Sequence, residues 1–105
     1  MITCVLEYRI DRAREQQFEQ WCRMWLRLIP RFGGVHHGYF LPSEGKSDLA
    51  LGLFSFPCLS DYERYRLAAA VDEEAIAATQ FRDEHAGVLE WNRSFFRPVL
   101  PVPPS

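Results

Sequence analysis

Two adjacent histidines, His36 and His37, stand in a strand-forming run, Val35-His-His-Gly-Tyr-Phe-Leu41. Gly33-Gly34 precedes the run and Pro42-Ser-Glu-Gly45 follows it. A neutral imidazole can serve as a general base near pH 7 or as a metal ligand, and a neighbouring phenol such as Tyr39 can share its proton. Further along, Arg93 and Arg97 alternate with Trp91 and Phe95. A guanidinium among aromatic rings suits a carboxylate or another anion. Trp91 and Phe54 can wall an apolar site, and Glu44 places a carboxylate in the turn after the histidines. His36, His37 and Tyr39 are therefore the candidate catalytic residues, and Arg97, Glu44, Trp91 and Phe54 the candidate ligand-binding ones. Such a set supports proton transfer on an activated small molecule, or binding without turnover.

Strand geometry limits what the histidine pair can do. Successive side chains on a strand point to opposite faces, so His36 and His37 are expected on opposite sides of a sheet. The same alternation places Tyr39 with His37 and Phe40 with His36. The two imidazoles then cannot share one metal ion, and no metal is expected. Blander roles compete at each position: a hydrogen-bonded packing imidazole, a solvated turn carboxylate at Glu44, a stacked and solvent-reaching Arg97. His85, near a helix end, meets that end's dipole and nothing more. Trp21 and Trp25 read as core.

The elements that must position these residues follow from periodicity. Ile2 to Ile10 alternates, with Ile2, Cys4, Leu6, Tyr8 and Ile10 on one face, which predicts a strand. Asp11 offers a helix cap. Phe18, Trp21, Cys22, Trp25, Leu28, Ile29 and Phe32 recur at helical spacing up to Gly33-Gly34, with Pro30 disturbing the last turn. Val35 to Leu41 and Leu49 to Phe56 form a hairpin around a polar turn. Ser60 with Glu63 predicts a capping box, and the helix it starts is kinked or restarted at Asp72-Glu73-Glu74 and stops at Gly87. Val88 to Arg97 is the fourth strand.

Strand, helix, strand, strand, helix, strand describes a ferredoxin-like βαββαβ protomer, α+β in class. It has an antiparallel four-stranded sheet with its helices on one face. Residues 1–97 form the single domain, and 98–105, with four of the seven prolines, an extended C-terminal arm. With 105 residues, 48% of them hydrophobic and 14% aromatic, the chain builds one core. A formal charge of −2 gives no basic surplus for nucleic acid. The N-terminal apolar run is too short for a signal peptide, and no run reaches the roughly 20 residues of a membrane span. A cytoplasmic location is expected. Cys4, Cys22 and Cys58 are expected as buried free thiols.

Helices cover only one face of such a sheet, yet the third strand is apolar on both, with Leu49, Leu51 and Leu53 on one side and Ala50, Gly52, Phe54 and Phe56 on the other. An apolar second face demands a second layer. The simplest supplier is another copy of the chain, so a homodimer, or a higher oligomer, is expected, with any small organic ligand held between the two sheets.

Three stretches carry a family resemblance: RFGGVHHGYFLPSEG (Arg31 to Gly45), LGLFSFPCLSDYERY (Leu51 to Tyr65) and SFFRPV (Ser94 to Val99). They resemble a small bacterial member of the NIPSNAP family, in the dimeric α/β-barrel superfamily. The resemblance implies a ferredoxin-like protomer paired as a barrel. It also implies that His36, His37, Tyr39, Glu44 and Arg97, which stand in the characteristic motifs, are the positions to test. The superfamily holds cofactor-free monooxygenases, isomerases, dehalogenating and haem-dependent enzymes, and members without known activity. The axial histidine environment of the haem-binding relatives has no counterpart here, so no cofactor is expected. The expected function is small-molecule binding, with cofactor-free monooxygenase or isomerase-like chemistry by the His/Tyr/Arg set. The alternative is a non-catalytic, stress-related binding or protein-interaction module.

Overall fold

The first strand, β1 (Ile2–Ile10), sends Cys4, Tyr8 and Ile10 into the core and leaves Glu7 and Arg9 exposed, as its alternation requires. The computed structural model describes residues 1–101. Asp11 ends the strand and accepts a hydrogen bond from the Ala13 amide at 3.0 Å, setting a short 3-10 turn at Arg12–Arg14. Helix α1 (Glu15–Arg31) follows and buries Phe18, Trp21, Cys22, Leu28 and Ile29 along one stripe. Pro30 sits inside its last turn without ending it. The amide of Phe32 bonds back to the carbonyls of Leu28 and Ile29, and Gly33, at φ +91°, turns the chain out.

Strands β2 (Val35–Phe40) and β3 (Leu49–Phe56) form the expected hairpin. Helix α2 (Leu59–Val71) starts one residue before the expected capping serine. Its N-cap is Cys58, whose thiol donates to Asp61 Oδ2 at 3.3 Å, so the Ser60–Glu63 capping box does not form. Asp72 does restart the helical stretch. Its carboxylate caps α3 (Glu73–His85) by accepting from the Ala75 amide at 2.9 Å. Arg31 ties this junction to the end of α1 by pairing with both Asp72, at 2.6 Å, and Glu74, at 2.5 Å. Gly87, at φ +66°, then leads into β4 (Val88–Phe96).

All four strands pair antiparallel in the order β2-β3-β1-β4, with helices on one side. This is the ferredoxin-like arrangement expected from the sequence. Cys4, Phe54, Phe56, Tyr62 and Tyr65 pack at one end of the sheet–helix layer; Tyr8, Phe18, Trp21 and Cys22 pack at the other. Pro98 to Pro101 follow β4 without regular structure, and the remainder of the expected 98–105 arm lies outside the described residues. Cys4 and Cys22 are buried free thiols as expected, whereas Cys58 is exposed because the N-cap of α2 lies at the surface.

The opposite face of the sheet carries Val5, Leu49, Leu51 and Leu53 at its centre. Val35, Phe40 and Phe96 flank them at 55%, 52% and 55% exposure. No helix of the described chain covers this face.

Candidate functional site

The register of β2 departs from simple alternation at the histidines. His36 pairs with Phe54, but Gly38 pairs with the adjacent Leu53, so His37 is an extra residue in a β-bulge. Gly38 makes the bulge, with φ at +112°. Beyond it the parity is reversed. Tyr39 shares the helix side with His36, their ring centroids 4.7 Å apart, while Phe40 joins His37 on the open side. The expected pairing of Tyr39 with His37 and of Phe40 with His36 is thus inverted. The expectation that the two histidines face opposite ways holds.

His37 closes a hydrogen-bonded row across three strands. Its Nε2 lies 2.7 Å from Ser55 Oγ, which lies 2.7 Å from Thr3 Oγ1. A serine beside an imidazole invites a nucleophilic reading. Ser55 is only 1% exposed, however, and its hydroxyl is engaged from both sides, so no substrate carbon reaches it. On the other side of the sheet, His36 Nδ1 accepts the Gly38 amide at 2.9 Å, which leaves the proton of the neutral ring on Nε2. That ring stays neutral near pH 7. Burial between Tyr39 and Phe54, reinforced by the neighbouring His37, depresses its pKa to about 4.

A cavity of about 310 Å³ lies between the sheet and the helices, on the side away from the open face. It exists there because the helices that roof it are lined with small residues, Ala69, Ala70, Ala75 and Thr79, opposite large rings rising from the sheet and α1. Its walls include Trp21 and Trp25 from α1, Tyr39 from β2, Phe54 from β3, Tyr62 and Tyr65 from α2, and Trp91 from β4. Arg66, Arg82 and Arg93 add three guanidinium groups; no Asp, Glu or His lines it among the described residues. Arg93 stacks over the Trp91 ring at 5.0 Å. Burial pushes the phenols of Tyr8, Tyr39, Tyr62 and Tyr65 upward, so all four stay protonated; at Tyr62 and Tyr65 the nearby Arg93 and Arg66 oppose that push in part.

Of the residues singled out from sequence, Tyr39, Phe54, Trp91 and Arg93 come together in this cavity. His36 stands just behind two of them, in contact with the rings of Tyr39 and Phe54. His37 faces the other side of the sheet, Glu44 is exposed in the β2–β3 turn, and Arg97 is exposed past the end of β4. Sequence reasoning took Trp21 and Trp25 as core and passed over Arg66 and Arg82. The signal that marks them is the pairing of an aromatic stripe on α1 with the alanine-rich helices: small residues facing large ones leave room. Among the described residues no group of histidine, cysteine, aspartate and glutamate side chains is placed to hold a metal ion. No described helix is long and apolar enough to cross a membrane.

The NIPSNAP family model matches residues 5–102. The chain belongs to the NIPSNAP family. None of the curated proteins matches it in sequence. Solved NIPSNAP structures share the fold. Protein Atu4242 of Agrobacterium tumefaciens superimposes with a TM-score of 0.83 at 14% identity, over 98% of each chain. An uncharacterized NIPSNAP domain protein of Burkholderia xenovorans gives 0.80 at 17% identity, over 99% of this chain and 100% of its own. A candidate antibiotic biosynthesis monooxygenase of Nitrosomonas europaea has the same architecture at 0.73 and 8% identity, over 95% of this chain and 100% of its own.

Proposed function

We propose that this NIPSNAP protein binds a small planar aromatic molecule in the cavity beneath its helices. One observation carries the reading: all three tryptophans and all four tyrosines of the chain line that single cavity. A core needs apolar volume, and Leu or Ile supplies it more simply. Amphipathic rings gathered around an open space offer stacking faces together with hydrogen-bonding edges. A volume of about 310 Å³ is at the small end for ligand cavities and fits a compact molecule.

Cofactor-free oxygenation is the reaction this reading favours if the ligand is turned over, drawing on the likeness to the Nitrosomonas europaea protein. In that chemistry an ionised, electron-rich phenol passes electrons to dioxygen. The ring C–H para to the phenolate becomes C=O with one oxygen atom, the phenol becomes a quinone, and the other oxygen leaves as water. The cavity contributes donors to hold the phenolate. Tyr39 stands at the cavity wall with the His36 ring against its back. Binding without turnover is the alternative, and it needs only the rings.

A second copy of the chain is proposed to cover the open face of the sheet. Val35, Phe40 and Phe96 are each more than half exposed there, beside Leu51 and Leu53. A stable pairing hides on the order of 800 Å² per partner, which the four-stranded face can supply.

Titration with 4-nitrobenzyl alcohol, a neutral aromatic quencher, tests the binding reading. Tryptophan emission is expected to fall saturably, and oxygen uptake with a quinol panel then separates turnover from binding. Linear, collisional quenching alone would remove the aromatic site.

A further inference from the structure

We propose that the ligand of this cavity is an aromatic carboxylate, its ring held by the tryptophans and tyrosines and its charge by Arg66 and Arg93. This rests on the aromatic-binding reading above and adds the charge of the ligand to it.

The polar edge of the cavity is made of donors. Arg66, Arg82 and Arg93 line it, and no carboxylate does among the described residues. The three are not equivalent. Arg82 is neutralised by its neighbour Asp83, 3.1 Å away. Arg66 and Arg93 form no ion pair among the described residues, and Arg93 Nε is buried with no hydrogen-bond partner there. The indole nitrogens Trp21 Nε1 and Trp25 Nε1 are likewise buried and unpartnered among the described residues. An indole N–H can only donate, and so can a guanidinium. Unsatisfied buried donors are costly, and a cationic one more so.

The two arginines also work on one end of the cavity. Both oppose the upward push that burial exerts on Tyr62, Tyr65 and Cys4. Arg66 is exposed at the mouth, and Arg93 is half-buried and fixed over the Trp91 ring. A planar fork already stacked on an indole loses little freedom when it engages a carboxylate. A ring entering among Trp21, Trp25 and Tyr62 would carry its carboxylate to this donor-rich end.

The test compares 4-nitrobenzoate with 4-nitrobenzyl alcohol, which differ only in the charged group, by calorimetry on the full chain. The carboxylate is expected to bind about tenfold more tightly or better, with a preference that shrinks as salt rises. Arg66→Gln, at an exposed helix position that tolerates change, and Arg93→Gln are each expected to reduce that preference, read as the ratio of the two probes' affinities within each variant. Equal affinities for the two probes, or a preference unchanged in the Arg66→Gln protein, would overturn the carboxylate reading while the aromatic site stands. Failure of both probes to bind would overturn the two readings together.

Discussion

The ring of Tyr39 lies directly over the α-carbon of Gly52: a Cβ built on Gly52 would stand 2.6 Å from Tyr39 Cε1. These residues are cross-strand partners in β2 and β3, and the missing side chain on one lets the other lie flat against the sheet as a wall of the cavity. Gly52→Ala is expected to lift the Tyr39 ring into the cavity. The cost should be about 1–3 kcal/mol of stability, with weakened binding of neutral aromatic probes. Chemical denaturation followed by calorimetric titration of the folded variant checks both parts. Unchanged stability and affinity would show that the ring moves freely.

Gly38 poses a different problem from Gly52. A Cβ there meets nothing within 4 Å, but the backbone sits at φ +112°. Gly38→Ala therefore carries backbone strain and no clash, expected at about 1–2 kcal/mol. Denaturation midpoints of the two alanine variants, with probe binding measured alongside, separate the cases: Gly38→Ala loses stability and keeps the cavity, whereas Gly52→Ala loses both.

His36 makes stability fall toward acid. Its pKa is held at about 4, chiefly by burial and then by His37, whereas a free imidazole titrates near 6.5. As pH drops through that window the unfolded chain takes up a proton that the folded ring refuses. The contribution is complete above pH 6.5, lost progressively down to about 4, and level below it. The loss is below about 3 kcal/mol, because the partly exposed ring is screened by solvent. His36→Gln removes it, so subtracting the variant's pH profile from that of the wild type isolates the step. Parallel profiles would remove His36 from the account.

Most of the fold was legible in the sequence because hydrophobic period and glycine stops agree along the chain. The alternation of β1 and the aromatic stripe of α1 each admit one reading. What escaped depended on single residues. The bulge at His37 rests on Gly38, and a glycine in a strand marks a bulge or merely a close approach. The parity rule therefore placed Tyr39 on the wrong side. The start of α2 was misread because Cys58, a poor capping residue by type, takes the place that Ser60 appeared to claim. Trp21 and Trp25 are at once core and cavity wall, a distinction set by the alanines of α2 and α3 across from them and invisible within α1 itself.

The open face offers a direct test of self-association. Leu53→Glu places a charge at the centre of β3, on the side opposite the helices. Light scattering coupled to gel filtration is expected to show a wild-type dimer and a variant monomer with an unchanged circular dichroism spectrum. A wild-type monomer at micromolar concentration would remove the proposed second copy.

The cysteines separate by access. Cys58 is exposed, Cys4 is buried with its thiol pushed up to about 11 by burial, and burial pushes Cys22 up as well. A maleimide should label one thiol per chain in the native protein and three in denaturant. Rapid labelling of a second native thiol would show that one end of the core opens readily.

The extra residue in β2 bears on how this chain is lined up with its relatives. At 14–17% identity to solved NIPSNAP structures, columns are set mainly by hydrophobic pattern. A gapless match through Val35–Phe40 would equate inward with outward positions wherever a relative lacks the bulge. A homologue with one residue fewer between the counterparts of His36 and Tyr39 would keep its aromatic ring on the same surface, whereas one of equal length without the bulge would carry it on the opposite one. Transferring a role from Tyr39 then requires placing a gap opposite His37 before any two side chains are declared equivalent.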